Sequence, residues 1–133
     1  MITLDQARTI VAAGEAQAKK IGVSVNIAVL DVGTHLKAFS RMDGAVLGSI
    51  DVAMGKARTA ALFQISSEAV WEYCKPGAPA PGLERSNGGL MTFAGGMPLV
   101  AVDGEMLGAV GVSGGAVSQD REIAEAAAAA IKA

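Results

Sequence analysis

The chain has 133 residues, 51% of them hydrophobic and 18% charged, and its formal net charge at pH 7 is −2. This length predicts one domain over residues 1–133, and the slightly acidic balance without a Lys/Arg cluster argues against a nucleic-acid surface. No apolar run reaches the roughly 18 residues that a membrane helix requires, and no secretory signal pattern is seen. One cysteine excludes an internal disulfide. We therefore expect a cytoplasmic protein that contacts neither nucleic acid nor membrane.

The first predicted element is an amphipathic helix. Thr3 and Gln6 have the spacing of a capping box, in which the hydroxyl accepts a first-turn N–H and the amide reaches back. Apolar residues then recur at helical spacing, which predicts a helix over residues 4–21 that ends at Gly22. Glu15 lies at the edge of the apolar stripe, and we interpret it as a solvated helix glutamate rather than a functional acid.

A β-hairpin is predicted next. Val25–Leu30 is an apolar strand, and Gly33 is the natural left-handed residue of the turn that follows it. The return strand, Thr34–Arg41, alternates strictly, so one of its faces carries three basic side chains and a phenylalanine. These residues are His35, Lys37, Phe39 and Arg41. Such a face is either a solvated edge or the wall of a pocket that accepts an anion.

Two helices are predicted after this hairpin. Asp43 either caps the joining turn, pairs with Arg41, or acts in a site. A long helix from Ser49 to about Gln64 follows. Lys56 lies at the margin of its buried stripe, where it is either a surface lysine with a packed stem or an ammonium at a pocket rim. A shorter helix then begins near Ser66, and Pro76 stops it.

The stretch from Cys74 to Pro98 is too rich in proline and glycine to form one regular element. A loop of this length in a compact domain is usually a lid, a binding loop or an assembly arm. Within it, Leu90–Phe93 has the composition of a brief strand. The sequence does not distinguish a lid, a binding loop and an assembly arm for the whole stretch.

The segment Met97–Gly115 predicts a second hairpin. Asp103-Gly104 between two apolar runs indicates a two-residue type I′ turn, which requires positive φ at both positions. Gly111 removes a side chain from the second strand, which marks a close approach by another backbone or a ligand. The turn Ser113-Gly114-Gly115 leads into a helix over Ser118–Lys132, with Ser118 as its N-cap. Unpaired amides in this turn could hold a carboxylate or phosphate.

These elements predict an α/β (α+β) architecture in which two antiparallel hairpins join into one sheet with helices on both faces. If the hairpins lie side by side, the basic face of the first approaches the amides that follow the second. The sequence has no nucleophile–base set, no metal-ligand cluster and no P-loop. Haem iron could be ligated by His35, Tyr73, Cys74 or one of six methionines.

Two blocks carry a resemblance to a known family. VLDVGTHLKAFSRMDGA (29–45) with KARTAALF (56–63), and GGMPLVAVDGEMLGAVGVSGG (95–115) with Asp120, are similar to the GlcG/HbpS family, the haem-degrading domain family that includes the C-terminal domain of PduO-type proteins. The resemblance implies a profilin-like sandwich with a five-stranded antiparallel sheet and helices on both faces. It also implies dimers or larger rings, and haem or tetrapyrrole binding in some members.

The first functional hypothesis is a small-molecule-binding protein whose ligand is haem, a tetrapyrrole or a small anionic metabolite. Arg41 and Lys56 would supply positive charge, and His35 a polar contact. The backbone amides of the glycine turn would fix the anion. Those residues are Gly111, Ser113, Gly114 and Gly115. Haem is the possible cofactor, and no other metal is expected.

The second hypothesis is a small enzyme of organic acid metabolism, an isomerase, tautomerase or hydrolase. It would act on an unsaturated or hydroxy acid, with His35 or Asp43 as the base and Arg41 as the carboxylate clamp. A third reading assigns the 74–96 loop to assembly alone. Under every reading we expect a homo-oligomer, because so much small apolar surface is difficult to bury in one short chain.

Overall fold

The computed structural model describes residues 1–132 as a mixed α+β fold. The helices are α1 (Leu4–Ile21), α2 (Gly48–Phe63), α3 (Ser67–Cys74) and α4 (Val117–Ala129). The strands are β1 (Asn26–Asp31), β2 (Leu36–Arg41), β3 (Gly96–Val100) and β4 (Met106–Ser113). Two short 3₁₀ turns cover Leu83–Arg85 and Ala130–Lys132. No helix among residues 1–132 is long and apolar enough to cross a membrane.

All strands join one antiparallel sheet in the order β2-β1-β4-β3. The two hairpins therefore lie side by side through the β1–β4 pair, and that prediction is confirmed. Asn26 of β1 is in register with Arg41 on one side and Ser113 on the other. The carboxyl ends of β2 and β4 thus meet at one end of the sheet.

The sheet has four strands, so the expectation of five is wrong. Leu90–Phe93 forms no strand, because its backbone groups are hydrogen-bonded to side chains of α2 and α3 and not to a neighbouring strand. Thr59 Oγ1 of α2 accepts the Met91 N–H at 3.0 Å, and Ser67 Oγ of α3 donates to the Phe93 carbonyl at 2.6 Å. This part of the long loop is consequently fixed against α2 and α3.

Helices cover both faces of the sheet, as predicted. One core lies between the sheet and the pair α1/α4, and includes Ile10, Ile27 and Ile123. On the opposite face, small residues let α2 lie close to β1, β4 and β3. A Cβ at Gly111 would overlap the carbonyl oxygen of Ala53 in α2. The missing side chain in this strand therefore admits a helix backbone rather than a ligand.

Both hairpin turns differ from the prediction. In the first, the left-handed residue is Thr34, with φ of 68°, and not Gly33, because the Asp31 carboxylate accepts the N–H groups of Gly33 and His35. In the second, only Gly104 is left-handed, with φ of 90°, and its N–H bonds to the Ala101 carbonyl. A type I′ turn would also need positive φ at Asp103, so that prediction is wrong.

The helix ends follow local capping chemistry. The Thr3–Gln6 capping box and the Gly22 stop of α1 are confirmed. Ser118 is not the N-cap of the last helix, because α4 begins at Val117 and Ala116 takes the cap position. Gln119 Oε1 there accepts the Ala116 N–H at 2.9 Å.

Candidate functional site

A buried ion pair joins α2 to α4 around the end of β4. Lys56 Nζ lies 3.1 Å from Asp120 Oδ2 and donates a second hydrogen bond to the Val112 carbonyl at 2.9 Å. Asp120 Oδ1 accepts the Gly115 N–H at 2.9 Å. Both side chains are almost completely buried. Each end of the pair is therefore hydrogen-bonded inside the protein.

Burial sets the titration of this pair. It lowers the pKa of the Lys56 ammonium and raises the pKa of the Asp120 carboxyl, because each charged form loses its hydration. The attraction between the two charges opposes both shifts without cancelling them. The attraction within such a pair is largely offset by the cost of removing both charges from water.

The glycine turn that was expected to hold a ligand anion contacts the protein's own carboxylate. Gly115 donates to Asp120, and Gly114 lies beside the same carboxylate. Gly111 and Ser113 belong to β4 and are in register with β1. The structure thus places Lys56 and this turn around Asp120, a residue that the sequence analysis linked only to the family resemblance.

Phe93 covers the ammonium group. Lys56 Nζ lies 4.8 Å from the centroid of the Phe93 ring, within the range of a cation–π contact. Ser67 Oγ fixes the loop backbone at two points, since it donates a hydrogen bond to the Phe93 carbonyl and accepts one from the Gly96 N–H. Gly95 has φ of 128°, and a Cβ there would be 2.8 Å from Lys56 Nζ. The loop therefore closes directly onto the lysine.

The outer side of Phe93 contributes to an open depression that we call the aromatic groove, lined by Trp71, Phe93 and Val117 with Glu68 and Arg121. Its volume is about 480 Å³. Trp71 is 38% exposed and Phe93 41%. Within residues 1–132, Glu68 Oε2 accepts no hydrogen bond, and it lies 4.0 Å from Arg121 Nε. Such a groove can stack a planar group and bind its carboxylate through the guanidinium.

A second depression, the polar pocket, lies at the end of the sheet where β2 finishes and α1 ends. It has a volume of about 530 Å³. Its lining includes Glu15, Lys19, Ser24, Arg41, Met42 and Asp43. Ser40 donates a hydrogen bond to Glu15 Oε2 at 2.6 Å. Arg41 and Asp43, the clamp and one base of the enzyme hypothesis, are therefore brought together here.

His35 belongs neither to the buried ion pair nor to the lining of the aromatic groove or the polar pocket. It lies at the tip of the β1–β2 turn, where its side chain is 81% exposed and Nδ1 is 3.4 Å from Asp31 Oδ1. It is six positions from Arg41 along the chain, or about 20 Å of extended backbone at roughly 3.3 Å per residue. The predicted shared strand face is not seen, because β2 begins only at Leu36 and its register with β1 shifts between Ala38 and Leu36. His35 and Arg41 therefore lie at opposite ends of this hairpin.

The aromatic groove was missed at the sequence level. Trp71 lies within the predicted short helix and Phe93 within the predicted strand Leu90–Phe93, and the sequence pattern assigns neither side chain a function. The available signal was the chain's one tryptophan, next to a long loop rich in glycine and proline. Nothing in the spacing indicates that Arg121 of α4 approaches these rings, because that contact depends on how α3 and α4 pack.

Comparison with known proteins places this architecture in a family. Residues 2–129 match the family model described as "Haem degrading protein HbpS-like". Protein GlcG of Escherichia coli K12 is 41% identical over 113 residues, which cover 85% of this chain and 81% of GlcG.

Two solved structures are also close. The Klebsiella pneumoniae protein ORFY is 34% identical, with a TM-score of 0.92 over 98% of this chain and 90% of that protein. A PduOC:heme complex is 32% identical, with a TM-score of 0.90 over 98% of this chain and 94% of that one. The resemblance drawn from the two sequence blocks is confirmed, and the chain belongs to the HbpS-like, haem-degrading protein family.

Proposed function

We propose that this chain is a small-molecule-binding protein that binds a planar organic anion, a tetrapyrrole or a smaller anionic metabolite, in the aromatic groove. The observation that carries the proposal is the position of Phe93, whose ring contacts a buried ammonium while its other side is exposed beside Trp71. Large aromatic side chains left exposed in a concavity are typical of ligand sites.

Arg121 is the group at the groove surface that can bind an anion. The Arg121 side chain is 59% exposed, and its Nε also lies 3.1 Å from Glu125 Oε1. Lys56 lies beneath Phe93, where Asp120 balances its charge. A ligand carboxylate can replace water around Arg121 through charge-assisted hydrogen bonds. Glu68 lines the same groove, but its Oε2 is buried and accepts no hydrogen bond within residues 1–132. A flat ring with a carboxylate matches the exposed rings of Trp71 and Phe93 and the side chain of Arg121.

Haem fits this groove only in part. The exposed rings suit the porphyrin plane, and Arg121 suits a propionate. Haem iron, however, is held in proteins by His, Cys, Met or Tyr, and none of these types lines the groove within the described residues. His35 is at the β1–β2 tip, Tyr73 lines a different cavity, and Cys74 is buried. The ring system therefore fits, and the iron ligand does not.

The test is a titration with haemin and, separately, with iron-free protoporphyrin IX. Trp71 is the one tryptophan of the chain, so its fluorescence reports directly on the groove. We expect saturable quenching by both compounds with similar dissociation constants, because stacking and the Arg121 contact do not need the metal. Haemin should show no Soret spectrum of six-coordinate low-spin iron.

Matched variants locate the site. Arg121→Gln and Phe93→Ala should each weaken porphyrin binding about tenfold, through a lost charge-assisted bond and a lost stacking surface respectively. Arg8→Gln changes an exposed arginine on α1 and should leave binding unchanged. Absence of saturable quenching, or equal affinities of Arg121→Gln and Arg8→Gln, would overturn the proposal.

Two further expectations remain proposals. We propose a homo-oligomer, because several large apolar side chains are exposed, among them Leu36, Val46 and Leu47. Sedimentation velocity would test it, and a monomer at micromolar concentration would contradict it. We also propose a cytoplasmic location, with which the single buried Cys74 is compatible. Fractionation of expressing cells would test that.

A further inference from the structure

Four charged side chains surround the polar pocket. Lys19 and Arg41 are cationic, and Glu15 and Asp43 are anionic. In the part of the chain that the structure describes, none of the four is in an ion pair within 4.0 Å. We propose that the polar pocket is a second binding site, for a small zwitterion that carries an ammonium and a carboxylate, as an α-amino acid does.

The balance of charges selects this ligand class. A dicarboxylate would meet Arg41 and Lys19 but would also face Glu15 and Asp43, and a diamine would have the opposite conflict. Like charges in one pocket oppose binding as strongly as unlike charges favour it. A ligand with one charge of each sign can be placed so that both of its ends meet an opposite charge.

The structure also gives the ligand a direction. Glu15 is half-buried, and the Ser40 hydroxyl holds its Oε2, so this carboxylate is oriented before any ligand arrives. The C-terminal end of α1, which carries partial negative charge, reaches the same pocket at Gly22. The ligand ammonium therefore lies toward Glu15. Its carboxylate lies toward Arg41, whose planar guanidinium can bind both oxygens.

The size and floor of the pocket suit an amino acid with an aliphatic side chain. Its volume of about 530 Å³ lies in the usual range for small-molecule sites. Val23 and Met42 line it and pack against the main core, so they form an apolar floor beneath the charges. The polar pocket shares no lining residue with the aromatic groove, and this proposal does not depend on the first one.

The test uses three compounds with one carbon skeleton. L-leucine carries both charges, 3-methylbutylamine lacks the carboxylate, and 4-methylpentanoate lacks the ammonium. Each is titrated into ¹⁵N-labelled full-length protein, and the amide shifts of Gly22, Ser24 and Arg41 are followed. We expect saturable shifts at these amides with leucine, and affinities for the amine and the acid that are about tenfold weaker.

Variants separate the two ends of the ligand. Arg41→Gln should reduce leucine binding to the level of 3-methylbutylamine, and Glu15→Gln should reduce it toward that of 4-methylpentanoate. Lys37→Gln changes an exposed cation on β2 outside the pocket and should have no effect. Binding of 4-methylpentanoate as tight as that of leucine would overturn the zwitterion proposal in favour of an organic-acid site. Absence of saturable shifts with leucine would overturn the site itself.

Discussion

Replacing Lys56 by methionine removes one partner of the buried ion pair while keeping most of the side-chain volume. Lys56 is fully buried, and Asp120 is exposed by only 3% of its side chain. In the variant, the Asp120 carboxylate would keep the Gly115 N–H and lose both the ammonium charge and its hydrogen bond. An unpaired buried carboxylate is strongly unfavourable, because neither water nor a counter-charge compensates it.

Breaking a buried pair by removing one partner typically costs about 3–5 kcal/mol of unfolding free energy. The lower end applies here, because Gly115 still hydrogen-bonds the carboxylate. For a chain of this size we expect a loss of about 3 kcal/mol and a fall in melting temperature of roughly 10 °C. Urea unfolding at pH 7, followed by far-UV circular dichroism, measures the first quantity, and a thermal melt measures the second.

Two controls make this result specific. Lys75→Met breaks an exposed pair, in which Lys75 Nζ lies 2.8 Å from Glu72 Oε1, and should change stability by less than about 1 kcal/mol. The double variant Lys56→Met/Asp120→Leu replaces the pair by apolar groups and should regain stability close to the wild type. If Lys56→Met is no more destabilised than Lys75→Met, or the double variant is as unstable as the single one, the account of the pair is refuted.

Three further predictions concern stability. Gly111→Ala should destabilise the protein by more than about 3 kcal/mol in urea unfolding, because its Cβ would overlap the α2 backbone. Gly48→Ala, where a Cβ meets no atom within 4 Å, is its control and should not destabilise. Thr34→Asn should add about 1 kcal/mol in the same assay, since asparagine tolerates a φ of 68° better than a β-branched residue, and no gain would contradict the strain at Thr34. Burial raises the pKa of Asp120 in the folded chain above the ordinary aspartate value of 3.8. As pH falls, the Asp120 carboxylate is therefore protonated in the folded chain before it is protonated in the unfolded chain. The stability of the wild type relative to Asp120→Asn should therefore rise as pH is lowered through the native pKa toward 3.8, and a difference that falls in that window would refute the raised pKa.

The helices and the hairpin pairing were predictable because their signals are local. The capping box at Thr3 and the stop at Gly22 involve residues of one helix turn, and they appear in the structure as expected. Alternation along Thr34–Arg41 placed Ala38 against the α1/α4 core and Ser40 against Glu15 of α1. The adjacency of the two hairpins followed from burial, since apolar strands need neighbours on both sides.

The turn conformations were not predictable from residue types alone. Asp31 competes with the turn geometry, because its carboxylate takes two backbone N–H groups and moves the left-handed position to Thr34. Similarly, no strand forms at Leu90–Phe93, because the hydroxyls of Thr59 and Ser67 hydrogen-bond its backbone groups. In both places a side chain supplies the hydrogen bond that regular structure would have supplied.

Sequence alone determined the order of the helices and hairpins, since these depend on spacing within about ten residues. It also determined the family, through the two blocks of motif residues. Tertiary structure alone decided which charges meet. Lys56 and Asp120 are 64 positions apart and form a buried pair, whereas His35, in the β1–β2 turn, and Arg41, at the end of β2, lie far apart although they are close in sequence. The physical reason is that ion pairs and cavities form between elements, and their geometry depends on how α2, α3 and α4 pack on the sheet.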